Sequence, residues 1–133
     1  MGFKAGARAK GDMGHADALF SRIVRSRGAC ERCGREGTDT AHIVKRRYSA
    51  TRCVEDNAWC LCRGCHKLTE EFPHEFMWQV ERTIGVDRYL ALVRQANDGI
   101  GTWNSKLYWA NEVDRLKARC VELGLDPRRK VPA

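Results

Sequence analysis

Four cysteines fall as two pairs, Cys30-x-x-Cys33 and Cys62-x-x-Cys65, and His66 directly follows the last of them. Thiolates are soft donors that suit zinc, and two such pairs supply the four sulfurs of a closed tetrahedral site. A redox thiol motif would need only one pair. Four sulfurs leave no position for His66, which stands at the start of a metal-stapled element with other chemistry to do. The pairs are too far apart for a compact zinc finger, so a hairpin must fold inside the loop that the metal closes. A structural zinc of this kind contributes on the order of 10–16 kcal/mol to the folding of a small domain.

Within that loop lie His42, Asn57 and a basic run, Lys45, Arg46 and Arg47, followed by Arg52. An imidazole is neutral or charged near pH 7 and serves as a general base or as a metal ligand. Asn57 fits a turn as well as a site. Arginine offers a planar fork that matches phosphate, so the basic run suits a nucleic-acid backbone beside His42, or a solvated loop. His15 and His74 stand apart from this constellation and read as surface residues.

The elements that must position these residues are short. Asp39 to Val44 reads as a strand. Ala58 to Cys62 reads as a second, with Trp59 and Leu61 pointing one way and Cys60 the other. A helix begins around Arg63 to Cys65 and carries His66, Leu68 and Thr69. Strand, loop, strand, helix is the centre of the chain, and the metal would draw His42, Asn57 and His66 onto one face. Ahead of it, Asp17 to Arg27 reads as a helix capped by Asp17 and ended by Gly28, with Leu19, Phe20, Ile23 and Val24 inward. Behind it, Pro73 opens a helix through Phe76, Val80 and Ile84 that Gly85 closes. Asp87 caps another, with Tyr89, Leu90, Leu92 and Val93 buried. Residues 98–101 form a loop. A last helix from about Ser105 shows Leu107, Ala110, Val113, Leu116, Cys120 and Leu123 at helical steps, stopped by Gly124 and Pro127. Trp103, Tyr108 and Trp109 read as core or interface residues.

The combination of Cys30-x-x-Cys33, Ala41-His42-Ile43-Val44, Asn57-Ala58-Trp59-Cys60-Leu61-Cys62 and Cys65-His66 resembles the HNH family of endonucleases. Phe20 to Arg25 and Arg47-Tyr48-x-x-Thr51-Arg52 look like its phage-encoded members. The stretch from Pro73 to Leu123 is more loosely similar to the NinG group of phage recombination proteins. The resemblance implies an α+β fold with a ββα-metal hairpin and helix at its centre, stapled by zinc on Cys30, Cys33, Cys62 and Cys65, with helices at both ends. It implies His42 as the general base. It implies Asn57 as the residue that orients the backbone around that histidine or assists the metal. It implies His66 as ligand of a catalytic Mg²⁺ or Mn²⁺. The family's second metal ligand commonly precedes the base, where this chain has Ala41. Asp39 projects to the same face on an ideal strand and is the candidate substitute, with Glu55 or Asp56 as others. The implied partner is DNA, contacted by Lys45, Arg46, Arg47 and Arg52, with phage packaging or recombination proteins as further partners.

Composition agrees with these expectations. The chain has 133 residues, a single-domain length, and a formal net charge of +7, which suits a polyanionic partner. Seven cysteines, an odd number, argue against a disulfide framework and for metal in a reducing cytosol, that of a bacterial host for a phage-encoded chain. No apolar run approaches a membrane span, and residues 1–16 read as a flexible basic arm rather than a signal peptide. The expected organisation is that arm, a nuclease core over 17–72, a helical extension of the same domain over 73–126, and a tail over 127–133. The competing expectation is a non-catalytic zinc module that binds nucleic acid or a recombination or packaging partner.

Overall fold

In the computed structural model, residues 9–99 and 106–131 are described. The chain is a mixture of helices with one small sheet and divides into two compact units, one formed by residues 24–103 and the other by residues 1–23 with 104–133. Residues 1–8 of the expected arm, Trp103 and the expected helix start at Ser105 lie outside the described residues, as do residues 100 and 101 of the expected loop.

The first unit carries the cysteines. Two strands, β1 (Asp39–His42) and β2 (Ala58–Leu61), pair antiparallel in the register Asp39 with Leu61, Thr40 with Cys60, Ala41 with Trp59 and His42 with Ala58. Cross-strand partners project to the same face. One face therefore carries Asp39, Ala41, Trp59 and Leu61, and the reverse carries Thr40, His42, Ala58 and Cys60. β1 ends at His42 rather than Val44 because the partner strand runs out there: the Ile43 N–H donates to the Asn57 carbonyl at 2.8 Å, and beyond it the Asn57 side chain takes over.

Ahead of β1 the chain makes a tight knuckle, closed by a single bridge between Ala29 and Glu36. Gly37 completes it because a Cβ there would run into the Cys60 sulfur. The loop between the strands holds a short helix, α2 (Ser49–Arg52), and a 3₁₀ turn, Glu55–Asn57. The basic run was expected to be loop alone, and α2 has no sequence signal of its own.

After β2 come α3 (Arg63–Glu71), α4 (Pro73–Ile84) and α5 (Val86–Asp98). Pro73 sits in the first turn of α4, and Gly85, at φ 87°, breaks the path between α4 and α5. The core of this unit joins Cys30, Ala41, Ile43, Trp59, Leu61, Cys65 and Val80, with Phe76, Ile84 and Tyr89 packed against it. The Trp59 and Phe76 rings meet edge to face at 5.5 Å, an arrangement that adds about 0.5–1.5 kcal/mol to their burial. On α5, Leu92 is fully buried but Leu90 is exposed, since the helix presents Leu92 and Ala96 inward.

The second unit contains most of α1 (Gly11–Arg25) and α6 (Lys106–Glu122). α1 begins at Gly11 rather than Asp17, so residues 11–16 are helix and not arm. The apolar stripe extends a turn earlier, with Ala16 buried beside Leu19, Phe20 and Ile23, and Asp12 lies in the favourable first turn. On α6 the buried stripe is Trp109, Val113, Leu116 and Cys120, while Leu107 and Leu123 are exposed. Arg22 ties the unit to the chain end by donating to the carbonyls of Asp126 and Arg128, each at 2.6 Å. α4 and α5 group with the sheet, and α6 groups with α1. Among the described residues no helix is long and apolar enough to cross a membrane.

Candidate metal centre and its neighbourhood

Two loops and a helix start bring the four cysteines together. Cys30 and Cys33 flank the knuckle turn, Cys62 is the residue before α3, and Cys65 lies in its first turn. The four sulfurs all lie within 4.8 Å of one another. A zinc ion with Zn–S bonds of about 2.3 Å requires sulfurs about 3.8 Å apart, and Cys33 Sγ and Cys62 Sγ are 3.8 Å apart. The donor set and the spacing fit a structural zinc.

The surrounding groups prepare these sulfurs. Burial opposes the Cys30 thiolate, but backbone N–H groups of Cys62, Cys33 and Arg32 outweigh it and bring that thiol down to about 6. Burial and the neighbouring sulfurs push Cys65 up to about 12, against the pull of Arg32, whose Nη1 lies 3.7 Å from its sulfur. The Cys65 N–H donates to Cys62 Sγ at 3.4 Å, so the sulfur also caps α3. Cys60 and Cys120 are buried thiols outside the cluster, each pushed up by burial.

A second constellation lies on the α3 side of the sheet. Asp39, near the β1 start, accepts from Thr38 Oγ1 on Oδ1 at 3.0 Å. Its Oδ2 lies 3.0 Å from His66 Nδ1 and 3.1 Å from Arg63 Nε. Burial raises the cost of its charge, but hydrogen bonds to His66 and Thr38 and the Arg63 charge outweigh it and hold the carboxyl below its usual range. The Asp39 to His66 separation suits a hydrogen bond. It equally suits adjacent ligands of a small octahedral cation, whose bonds of about 2.1 Å put neighbouring donors about 3.0 Å apart. No third His, Cys, Asp or Glu joins Asp39 and His66 in a metal-sized cluster among the described residues. Asp56 instead accepts from Arg88 Nε at 3.0 Å.

His42 and Asn57 sit elsewhere, so the three polar residues expected on one face do not share it. An odd spacing along β1 sends His42 to the reverse face from Asp39. There its Nε2 lies 2.9 Å from the Arg52 carbonyl. A carbonyl only accepts, so Nε2 carries a proton. Asn57 is fully buried. Its Oδ1 accepts from the Val44 N–H at 2.7 Å, and its Nδ2 donates to the carbonyls of Val44 at 3.0 Å and Thr51 at 2.9 Å. The side chain acts as an extra peptide group that closes the loop over residues 44–51. Lys45, Arg46 and Arg47 are exposed, Arg47 lies over the Tyr48 ring, and Arg52 donates to the Arg46 carbonyl at 3.3 Å. His74 is exposed and His15 half-buried.

Sequence reasoning passed over two arginines. Arg63 pairs with Asp39, and the strand register was the available signal: Asp39 faces Leu61, and the chain turns into α3 two residues later. Arg27 donates to Glu31 Oε2 at 3.0 Å and to the carbonyls of Ala58 at 2.8 Å and Glu55 at 2.9 Å, while Glu31 accepts from the Cys60 N–H at 2.6 Å. This network fastens the knuckle to β2, and nothing in local sequence announces it. No family model, curated protein or solved structure matches the chain.

Proposed function

We propose that this chain is a metal-dependent DNA endonuclease of the HNH type, hydrolysing phosphodiester bonds with little sequence specificity. The observation that carries the reading is the Asp39–His66 pair, a carboxylate and an imidazole 3.0 Å apart beside a four-sulfur cluster. The cluster would hold zinc as a clasp that fixes the start of α3. Asp39 and His66 would hold Mg²⁺ or Mn²⁺, Asp39 standing in for the ligand that Ala41 cannot supply. That ion, when bound, supplies positive charge for the scissile phosphate and the leaving 3′ oxygen. His42, its Nε2 held 2.9 Å from the Arg52 carbonyl, would serve as the general base. Among the described residues β1 pairs with β2 alone, so a nucleic-acid backbone along its other edge would pass Asp39 at one end and His42 at the other. Lys45, Arg46, Arg47 and Arg52 follow His42 and would neutralise phosphates there.

One observation favours a second reading. His42 leaves β1 on the face opposite Asp39, and the pair offers two protein ligands only, which suits a non-catalytic zinc module that binds nucleic acid or a recombination or packaging protein. Plasmid nicking by the zinc-loaded chain separates the two. The nuclease reading expects nicking with Mn²⁺ at least, since manganese accepts nitrogen ligands more readily than magnesium. It also expects His42→Ala to lose cleavage while keeping fold and DNA affinity. DNA binding without nicking under either ion would establish the module instead, and a cleaving His42→Ala would remove His42 as the base.

A further inference from the structure

Asp39 Oδ2 serves two partners at once, the half-buried His66 and Arg63, the first residue of α3. The Asp39 side chain is 12% exposed and that of Arg63 is 86% exposed. The guanidinium is thus held by its Nε at a nearly buried carboxylate, while the rest of the group stands in solvent. Oδ1 is occupied by the Thr38 hydroxyl. A divalent cation between Oδ2 and Nδ1 would take the same oxygen that Arg63 holds at 3.1 Å. Two positive groups would then crowd one carboxylate oxygen, and the exposed one is free to swing. A guanidinium that leaves a carboxylate is drawn to the two non-bridging oxygens of a phosphodiester, which its planar fork matches with paired N–H groups.

We propose that Arg63 is a displaceable positioning residue: it neutralises Asp39 in the free protein and transfers to a nucleic-acid phosphate when a divalent cation enters. This rests on Asp39 and His66 being the cation site. Cation and DNA then favour each other, because each relieves a cost imposed by the other's absence, and the coupling is reciprocal. Removing Arg63 frees Oδ2 in the absence of DNA and removes the group that carries the coupling. An ion pair whose guanidinium stands in solvent corresponds to about a two- to fivefold change in cation affinity.

The test is a Mn²⁺ titration of the zinc-loaded full chain, read by calorimetry and by the free-Mn²⁺ spin-resonance signal, with and without a short DNA duplex. Arg63→Gln is expected to bind Mn²⁺ about two- to fivefold more tightly than wild type without DNA, and to lose the tightening that DNA gives wild type. Arg63→Lys, which keeps the charge, is expected to restore wild-type behaviour in part. Equal or weaker Mn²⁺ binding by Arg63→Gln, or a DNA effect as large as in wild type, overturns the proposal. Asp39→Asn separates this from the underlying reading. Where Asp39→Asn loses the Mn²⁺ site and Arg63→Gln leaves it unchanged, only the role of Arg63 is refuted. Where wild type shows no Mn²⁺ site that depends on Asp39, both fall.

Discussion

Asn57→Ala tests whether Asn57 is a loop fastener rather than a participant in metal chemistry. The substitution removes three hydrogen bonds, two with the Val44 peptide groups and one with the Thr51 carbonyl. Each buried bond contributes about 1 kcal/mol net, and a group left without a partner inside the fold costs about 1–3 kcal/mol. The Thr51 carbonyl keeps the Val54 N–H at 3.2 Å, so little is lost there. The Val44 groups belong to a half-buried residue, and water reaches them in part. The total is about 2–4 kcal/mol, a large fraction of the 5–15 kcal/mol typical of a folded domain. Thermal unfolding of the zinc-loaded protein, followed by circular dichroism, should shift down by roughly 10 °C. Zinc content should stay at the wild-type level, because Asn57 touches none of the four sulfurs. Asn57→Asp should be worse near neutral pH, since a carboxylate would face two carbonyls. Those carbonyls raise its folded pKa above the unfolded value, so that variant should gain stability as pH falls. An Asn57→Ala protein that melts with wild type while losing divalent-cation affinity would refute the argument.

Two more expectations concern the sulfur cluster. Cys62→Ser should lose zinc, measured by metal analysis, and unfold residues 24–103, because a clasp worth on the order of 10–16 kcal/mol matches or exceeds the roughly 5–15 kcal/mol that holds a small domain folded; a stable zinc-free variant would show that the cysteines are no clasp. Zinc uptake by the apoprotein should release protons to a weakly buffered indicator, since Cys65, pushed up to about 12, holds its proton at neutral pH and must lose it to bind. Zinc affinity should accordingly rise with pH, and uptake without proton release would mean that the thiols are not the ligands.

Much of the centre of this chain was legible in one dimension. Two Cys-x-x-Cys pairs predict a cluster because thiolate spacing is local chemistry, and the sulfurs do meet. The alternation of Trp59, Cys60 and Leu61 predicts the faces of β2, because strand period is a local property. Pro73 and Gly85 bound α4 for the same reason. Boundaries set by partners were not legible: β1 stops at His42 because Asn57 meets Val44, and α1 starts early because Ala16 has a core to enter. Nor was the grouping of α6 with α1, since periodicity shows that a stripe is buried but not against what.

The same division runs through the candidate site. Residue types alone nominated His42, Asn57, His66 and Asp39, because imidazoles and carboxylates carry their chemistry wherever they sit. Only the folded chain decided which of them touch. Strand register set Asp39 against His66 and Arg63 and turned His42 to the other face, and burial made Asn57 a brace for the loop. Contact between residues distant in the chain depends on how the backbone is paired and packed, and no spacing along the sequence encodes that pairing by itself.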